Sequence, residues 1–338
     1  MMLDKIFPHH SSLLLHRGIN LSLFINSLLF ALSITGPICL LLLLGIALRR
    51  SQMMNEGFIE GASKLVFNIA LPMLLFTSIA KTDFSQIISL KLILFGIAVT
   101  LIAFVLLEWW ASRVIDNKRL RGIVVQGAFR ANMAIIGLAY VNNAYGAQGV
   151  AAAAMYVACL TILFNVLAVI TLSRSLNQED TLPVKQLAKG IAKNPLIIGI
   201  VSALPFAATD WYVPEVLMQT GQYLAQLTLP LALLCTGASL SLRGHQEETA
   251  LLPMVTLLRL LVLPTTITLG GYLVGFRGME LTILFLINAA PTAAASYVMV
   301  RAMGGNAVLA ANIIAVTTLG SLLSTSLGAA LFKGLGWL

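Results

Sequence analysis

Apolar runs of membrane-spanning length recur from residue 20 to residue 332, and no other feature limits the fold as tightly. Hydrocarbon offers no water to hydrogen-bond the backbone, so only helices and closed barrels cross a bilayer. A crossing helix needs roughly 20 consecutive apolar residues, a barrel strand about half that. The runs here have the helical length. Charged residues make up only 10 % of the chain, against roughly 25 % in soluble domains, so a soluble fold is excluded. The chain is expected to be an all-α integral membrane protein.

The runs are read as ten spans, at about 20–48, 62–80, 87–110, 122–143, 147–172, 194–208, 216–239, 250–275, 279–300 and 306–332. The first is too long for the apolar core of a signal peptide and lacks a small-residue cleavage pattern. Residues 1–21 then form an N-terminal extracytoplasmic segment, 22–172 a first repeat of five helices, 173–193 a cytoplasmic linker, and 194–338 a second repeat. The linker is the longest polar stretch, and Lys185, Lys189 and Lys193 recur in it every four residues, as on a short surface helix facing anionic lipid.

The two halves resemble each other weakly. KLVFNIALPMLLFTSIA (64–80) lies over QYLAQLTLPLALLCTGA (222–238), so that Pro72 falls on Pro230 and Asn68 on Gln226. One residue further in offset, Asn132 falls on Pro291 and Gly146 on Gly305. With Arg130 and Arg259 set aside as intramembrane, thirteen Lys/Arg fall on one side of the ten spans and six on the other. The positive-inside rule then places both termini outside the cytoplasm. Five spans is an odd number, so the second repeat enters with opposite orientation. Two inverted five-helix repeats are a common plan of secondary transporters, whose sites lie near the midplane where corresponding helices break.

The spans expected to break are the fourth and the ninth. QGAFRANMAIIGLAYVNNAYG (126–146) carries Arg130 and Asn132 near its middle, with Gly137 following. A charge at mid-membrane costs at least ~2.5–3.5 kcal/mol, so it normally faces protein or a water-filled cavity. Arg130 is therefore read either as the wall of a substrate cavity, the reading adopted, or as a structural pair. A carboxylate matches the paired donors of its guanidinium. In LINAAPTAAASYVMV (286–300), Pro291 cannot donate a backbone hydrogen bond, and Asn288, Thr292 and Ser296 surround it with polar groups. Asn68, Pro72, Gln226 and Pro230 are read as matched helix distortions that line the cavity or shape the scaffold. Arg259 is read as snorkelling or structural. Cys39, Cys159 and Cys235 sit in apolar runs with neither disulfide nor metal spacing, and serve as packing residues.

No Asp, Glu or His lies well inside a span, which argues against a conventional acidic proton relay. Sodium, protons and uniport all stay open as modes of coupling. No P-loop, zinc signature or serine elbow occurs, so neither an ATP-driven pump nor an intramembrane protease is expected, and no metal, cofactor or nucleic acid. The alternative from another class is a membrane ligand sensor or scaffold that works through a partner.

The segments ALPMLLF (70–76), FRANMAIIGLAYVNNAYG (129–146), KNPLIIG (193–199), LTLPLALLCTGASL (227–240) and AAPTAAASYVMV (289–300) resemble the auxin efflux carrier family. The likeness covers about 22–332. It is nearest the bacterial branch described as malate or malonate permeases, and more distant from the sodium–bile acid symporters. The resemblance implies ten helices in two inverted repeats, with spans one, two, six and seven as a dimerising scaffold and the remainder as a transport domain. It implies organic-anion substrates, a crossover at Asn132 and Pro291, membrane lipids and a second copy as partners, and a bacterial inner membrane. The sequence departs from the family at Ala139, where IGLAY stands in place of IGLP, so any break in span four has to rest on Gly137 and its polar neighbours.

Overall fold

The computed structural model describes residues 36–81, 89–177, 189, 192–209, 211–240, 246–335 and 337. The N-terminal segment, the start of the first span and most of the 173–193 linker lie outside the described residues. In chain order the helices are α1 (36–50), α2 (Glu56–Ala80) and α3 (Leu90–Val114). α4 (Lys118–Phe129) and α5 follow, α5 opening with a π turn at Met133–Gly137 and ending at a kink at Gly146. Next come α6 (Gln148–Leu176), α7 (Pro195–Ala208), α8 (Glu215–Gln226) and α9 (Thr228–Ala238). α10 comprises Gln246–Leu257, a π turn at Leu258–Val262, and Leu263–Val274. The last three are α11 (Gly278–Ala289), α12 (Ala295–Ala302) and α13 (Ala307–Gly334).

Local chemistry sets several of these starts. The side chains of Asn55, Asn117 and Asn194 each accept a backbone N–H in the first turn of α2, α4 and α7, satisfying donors that a helix start leaves free. Pro195 follows its cap at a position where no N–H is needed. At Gly146 the backbone adopts φ 60°, ψ −152°, a region essentially closed to residues with a Cβ. No neighbouring atom would crowd a methyl group there. Gly146→Ala is therefore expected to cost about 1–3 kcal/mol through backbone strain alone, read as a lower melting temperature of the detergent-solubilised protein.

Five helices among the described residues are long and apolar enough to cross a membrane: α2, α3, α6, and the segments Ala250–Val274 and Ala307–Phe332. α7 and α11 are shorter apolar helices. The remaining described segments are shorter, and α1 is described only from residue 36. The protein is an all-α, multi-pass membrane protein. α2 packs on α7 and α8, and α9 on α1, while α3, α4, α6, α10, α11 and α13 pack among themselves. α12 bridges the two groups through α2 and α9.

Two interruptions meet at the centre. α4 stops at Phe129, and Arg130 to Asn132 are non-helical before α5 begins. α11 stops at Ala289, and the chain is extended at Ala290 (φ −59°, ψ 146°) before α12, as proline demands of its predecessor. The interruptions pair antiparallel at Ala131 and Thr292. Asn132 N–H donates to the Pro291 carbonyl at 2.8 Å, and Ala293 N–H to the Arg130 carbonyl at 3.0 Å. Backbone groups freed by each interruption thus satisfy those of the other. No proline lies in the first interruption, and Ala139 sits beyond it on continuous helix.

Candidate functional site

A cavity of ≈ 110 Å³ opens beside the paired interruptions. Leu71, Leu74 and Leu75 of α2 and Leu229 of α9 wall one side. The other is built from Arg130–Ile135, the α6 residues Thr161, Phe164 and Asn165, and Ala293–Ala295. The wall is mainly apolar, with a few polar groups converging on it.

Arg130 is 4 % exposed, yet no carboxylate pairs with it among the described residues. One terminal nitrogen donates to Asn165 Oδ1 at 2.7 Å, and the other reaches Ser296 Oγ at 3.4 Å. Both partners are neutral, and a guanidinium has five N–H donors, so capacity and full charge remain for a ligand. Asn132 lines the cavity at the start of α5, where its side chain does not cap the helix. Thr228 also lines it, with a buried hydroxyl that has no hydrogen-bond partner among the described residues. α5 and α12 both begin at this wall, and helix N-termini present free N–H groups and partial positive charge. The arrangement suits an anionic group with a small apolar remainder.

The other residues singled out from the sequence lie around the cavity rather than in its wall. Ser296 reaches it through Arg130. Thr292 staples the crossing, its hydroxyl donating to the Gly127 carbonyl at 2.7 Å and its N–H to Thr317 Oγ1 at 3.2 Å. The Asn288 amide donates to Tyr156 Oη at 3.2 Å and to the Leu284 carbonyl at 2.9 Å. Gly137 lets α5 close on α11, since a Cβ there would stand 3.2 Å from the Ile287 Cα. Pro291 supplies the carbonyl that Asn132 uses. Pro72 is buried against Gly199 of α7, whereas Asn68, Gln226 and Pro230 are exposed. Asn165 was missed, although a lone asparagine in an apolar run such as LTILFNVLAV (160–169) is the signal that marks intramembrane function.

Arg259 does not snorkel. It is 1 % exposed, and one terminal nitrogen donates to the Ala128 and Phe129 carbonyls, both at 3.0 Å. The other donates to the Asn288 carbonyl. Away from this region, an apolar cleft of ≈ 370 Å³ between α3 and α10 includes the exposed Ile102 and Leu106 and lacks a charged group.

Residues 35–328 match the family described as membrane transport protein. The chain belongs to that family. Its members are transporters and not enzymes, as expected from the absent catalytic motifs. An uncharacterized transporter of Methanothermobacter thermautotrophicus is 26 % identical over 293 residues, covering 86 % of this chain and 94 % of its own. One from Methanocaldococcus jannaschii is 24 % identical over 303 residues, with 86 % and 95 % covered. Both organisms are archaea, which overturns the expectation of a bacterial inner membrane. What stands is a multi-pass membrane transporter.

Proposed function

We propose that this family member is a gradient-driven carrier of small organic anions, mono- or dicarboxylates, working by alternating access. The observation that carries the reading is Arg130, a buried cation without a carboxylate partner among the described residues, at the wall of a cavity where two half-helices begin. The cavity is somewhat smaller than the ~150 Å³ space that admits benzene, a scale suited to short-chain acids. Reciprocal pairing of the interruptions, with Asn132 bonded to Pro291 and Ala293 to Arg130, supports the ten-span plan of two inverted repeats, with spans four and nine broken.

The cavity lies where the two helix groups face each other, as alternating access requires. Beyond it the seam is clasped: Arg301 of α12 pairs with Glu56 of α2, which also takes Arg49 at 3.2 Å. Tyr297 Oη and Ser239 Oγ hydrogen-bond across the same seam at 2.6 Å. The homodimer belongs to this proposal too, with exposed Phe58, Leu65 and Ile69 on α2 and Val216 and Tyr223 on α8 available for it.

Purified protein in liposomes is expected to move radiolabelled malate, malonate or lactate, with indole-3-acetate as the bulky member of the panel. Sodium, proton and voltage gradients are imposed separately. Absence of protein-dependent flux for every member under every gradient would defeat the proposal.

A further inference from the structure

Arg259 holds the opposite ends of the interrupted helices from those at the cavity. Ala128 and Phe129 carry the last carbonyls of α4, and Asn288 lies in the last turn of α11. Helix C-termini carry about half a unit of negative charge each, and here two of them converge. In carriers built on interrupted helices, such ends coordinate the coupling sodium ion or proton. In this chain a guanidinium donates to three of these carbonyls. It is buried and pairs with no carboxylate among the described residues. The π turn at Leu258–Val262 contains Arg259, and inserted turns of this kind frequently mark functional positions.

We propose that the Arg259 guanidinium is a resident cation of the helix crossing, occupying the carbonyl ends where a coupling ion would otherwise sit and holding the two half-helices in register. Resting on the carrier reading above, this makes the crossing complete without an inorganic cation. Arg259 is thus a positioning residue: it touches neither the cavity nor the ligand, and its charge acts through the backbone of α4 and α11.

Melting of the full-length protein in detergent tests this without requiring a known substrate. Wild type is expected to melt at the same temperature in sodium chloride and in choline chloride of equal ionic strength. Arg259→Met, of similar length but uncharged, should melt well below wild type, and Arg259→Lys between the two. Low, non-denaturing guanidinium should raise the melting temperature of Arg259→Ala and leave wild type unmoved. A residue that merely filled space would give Met at least the stability of Lys, and that order would overturn the proposal. So would specific stabilisation of wild type by sodium. Should Arg259→Ala fail to fold, the sodium comparison and the Lys/Met order still decide. In liposomes that carry a carboxylate, flux driven by a sodium gradient would refute the resident cation while leaving the anion reading intact. A total lack of flux would count against the anion reading alone.

Discussion

Replacing Arg130 with alanine is expected to lower affinity for a transported carboxylate by roughly thirtyfold to several thousandfold. The range corresponds to the ~2–5 kcal/mol lost when one partner of a desolvated, hydrogen-bonded charge pair is removed. Arg130→Lys should restore little. An ammonium is a point charge, and it cannot hold Asn165 and Ser296 while also presenting a planar pair of donors to a carboxylate. Part of any deficit would be structural, because deletion leaves Asn165 Oδ1 without its guanidinium partner, at a cost of about 1–3 kcal/mol. Ligand binding and ligand-free melting of Arg130→Gln separate the two contributions. If that variant bound ligand like wild type but melted much earlier, Arg130 would be a strut, and the site would retreat to Asn132, Thr228 and the helix starts.

The second large effect is expected far from any charge, at Gly237 on α9. A Cβ there would lie 2.1 Å from the Leu42 carbonyl oxygen of α1, and one on Gly45 would lie 2.3 Å from the Leu234 carbonyl oxygen. Both obstacles are main chain, so no rotamer can yield, and the two helices would have to separate. Small residues let helix backbones approach closely in membranes, where packing drives association. Overpacking a core typically costs about 1–3 kcal/mol; Gly237→Val should exceed that range, and Gly237→Ala should reach its upper end. The readout is the yield of monodisperse protein and its melting temperature. α9 also supplies Thr228, Leu229 and Ala232 to the cavity wall, so survivors should bind ligand poorly. Wild-type melting of Gly237→Ala would show that the α1–α9 contact is looser than described.

Much of the fold was legible because lipid imposes one rule everywhere. Spans six and eight were read to within a few residues of α7 and α10 from hydropathy. The interruption at Pro291 announced itself through a residue that cannot complete a helix. Its counterpart was expected from the polar residues Arg130 and Asn132 and from Gly137, but it contains no proline, and the bonds that stabilise it, to residues more than 150 positions away, were not legible. The two buried arginines show the same limit. Each sits in an apolar run, and one-dimensional reasoning left each of them a structural role as an alternative. The structure gives that role to Arg259, because three carbonyls from two distant helices meet at α10. Asn288 and Thr292 carry the polarity expected of a site, yet they spend their hydrogen bonds on Tyr156, Leu284, Gly127 and Thr317.

The bridge between the two interruptions is made by peptide groups, with Asn132 N–H on the Pro291 carbonyl and Ala293 N–H on the Arg130 carbonyl. Substitution can delete a side chain but not a peptide bond, so the joint is largely indifferent to the residues that form it. Its two sides are therefore free to diverge: asparagine stands where its mate has proline, and the joint still closes. Selection can then rewrite the side chains facing the cavity, one at a time, while the crossing beneath them persists. A lineage of such chains could change its cargo without rebuilding its frame.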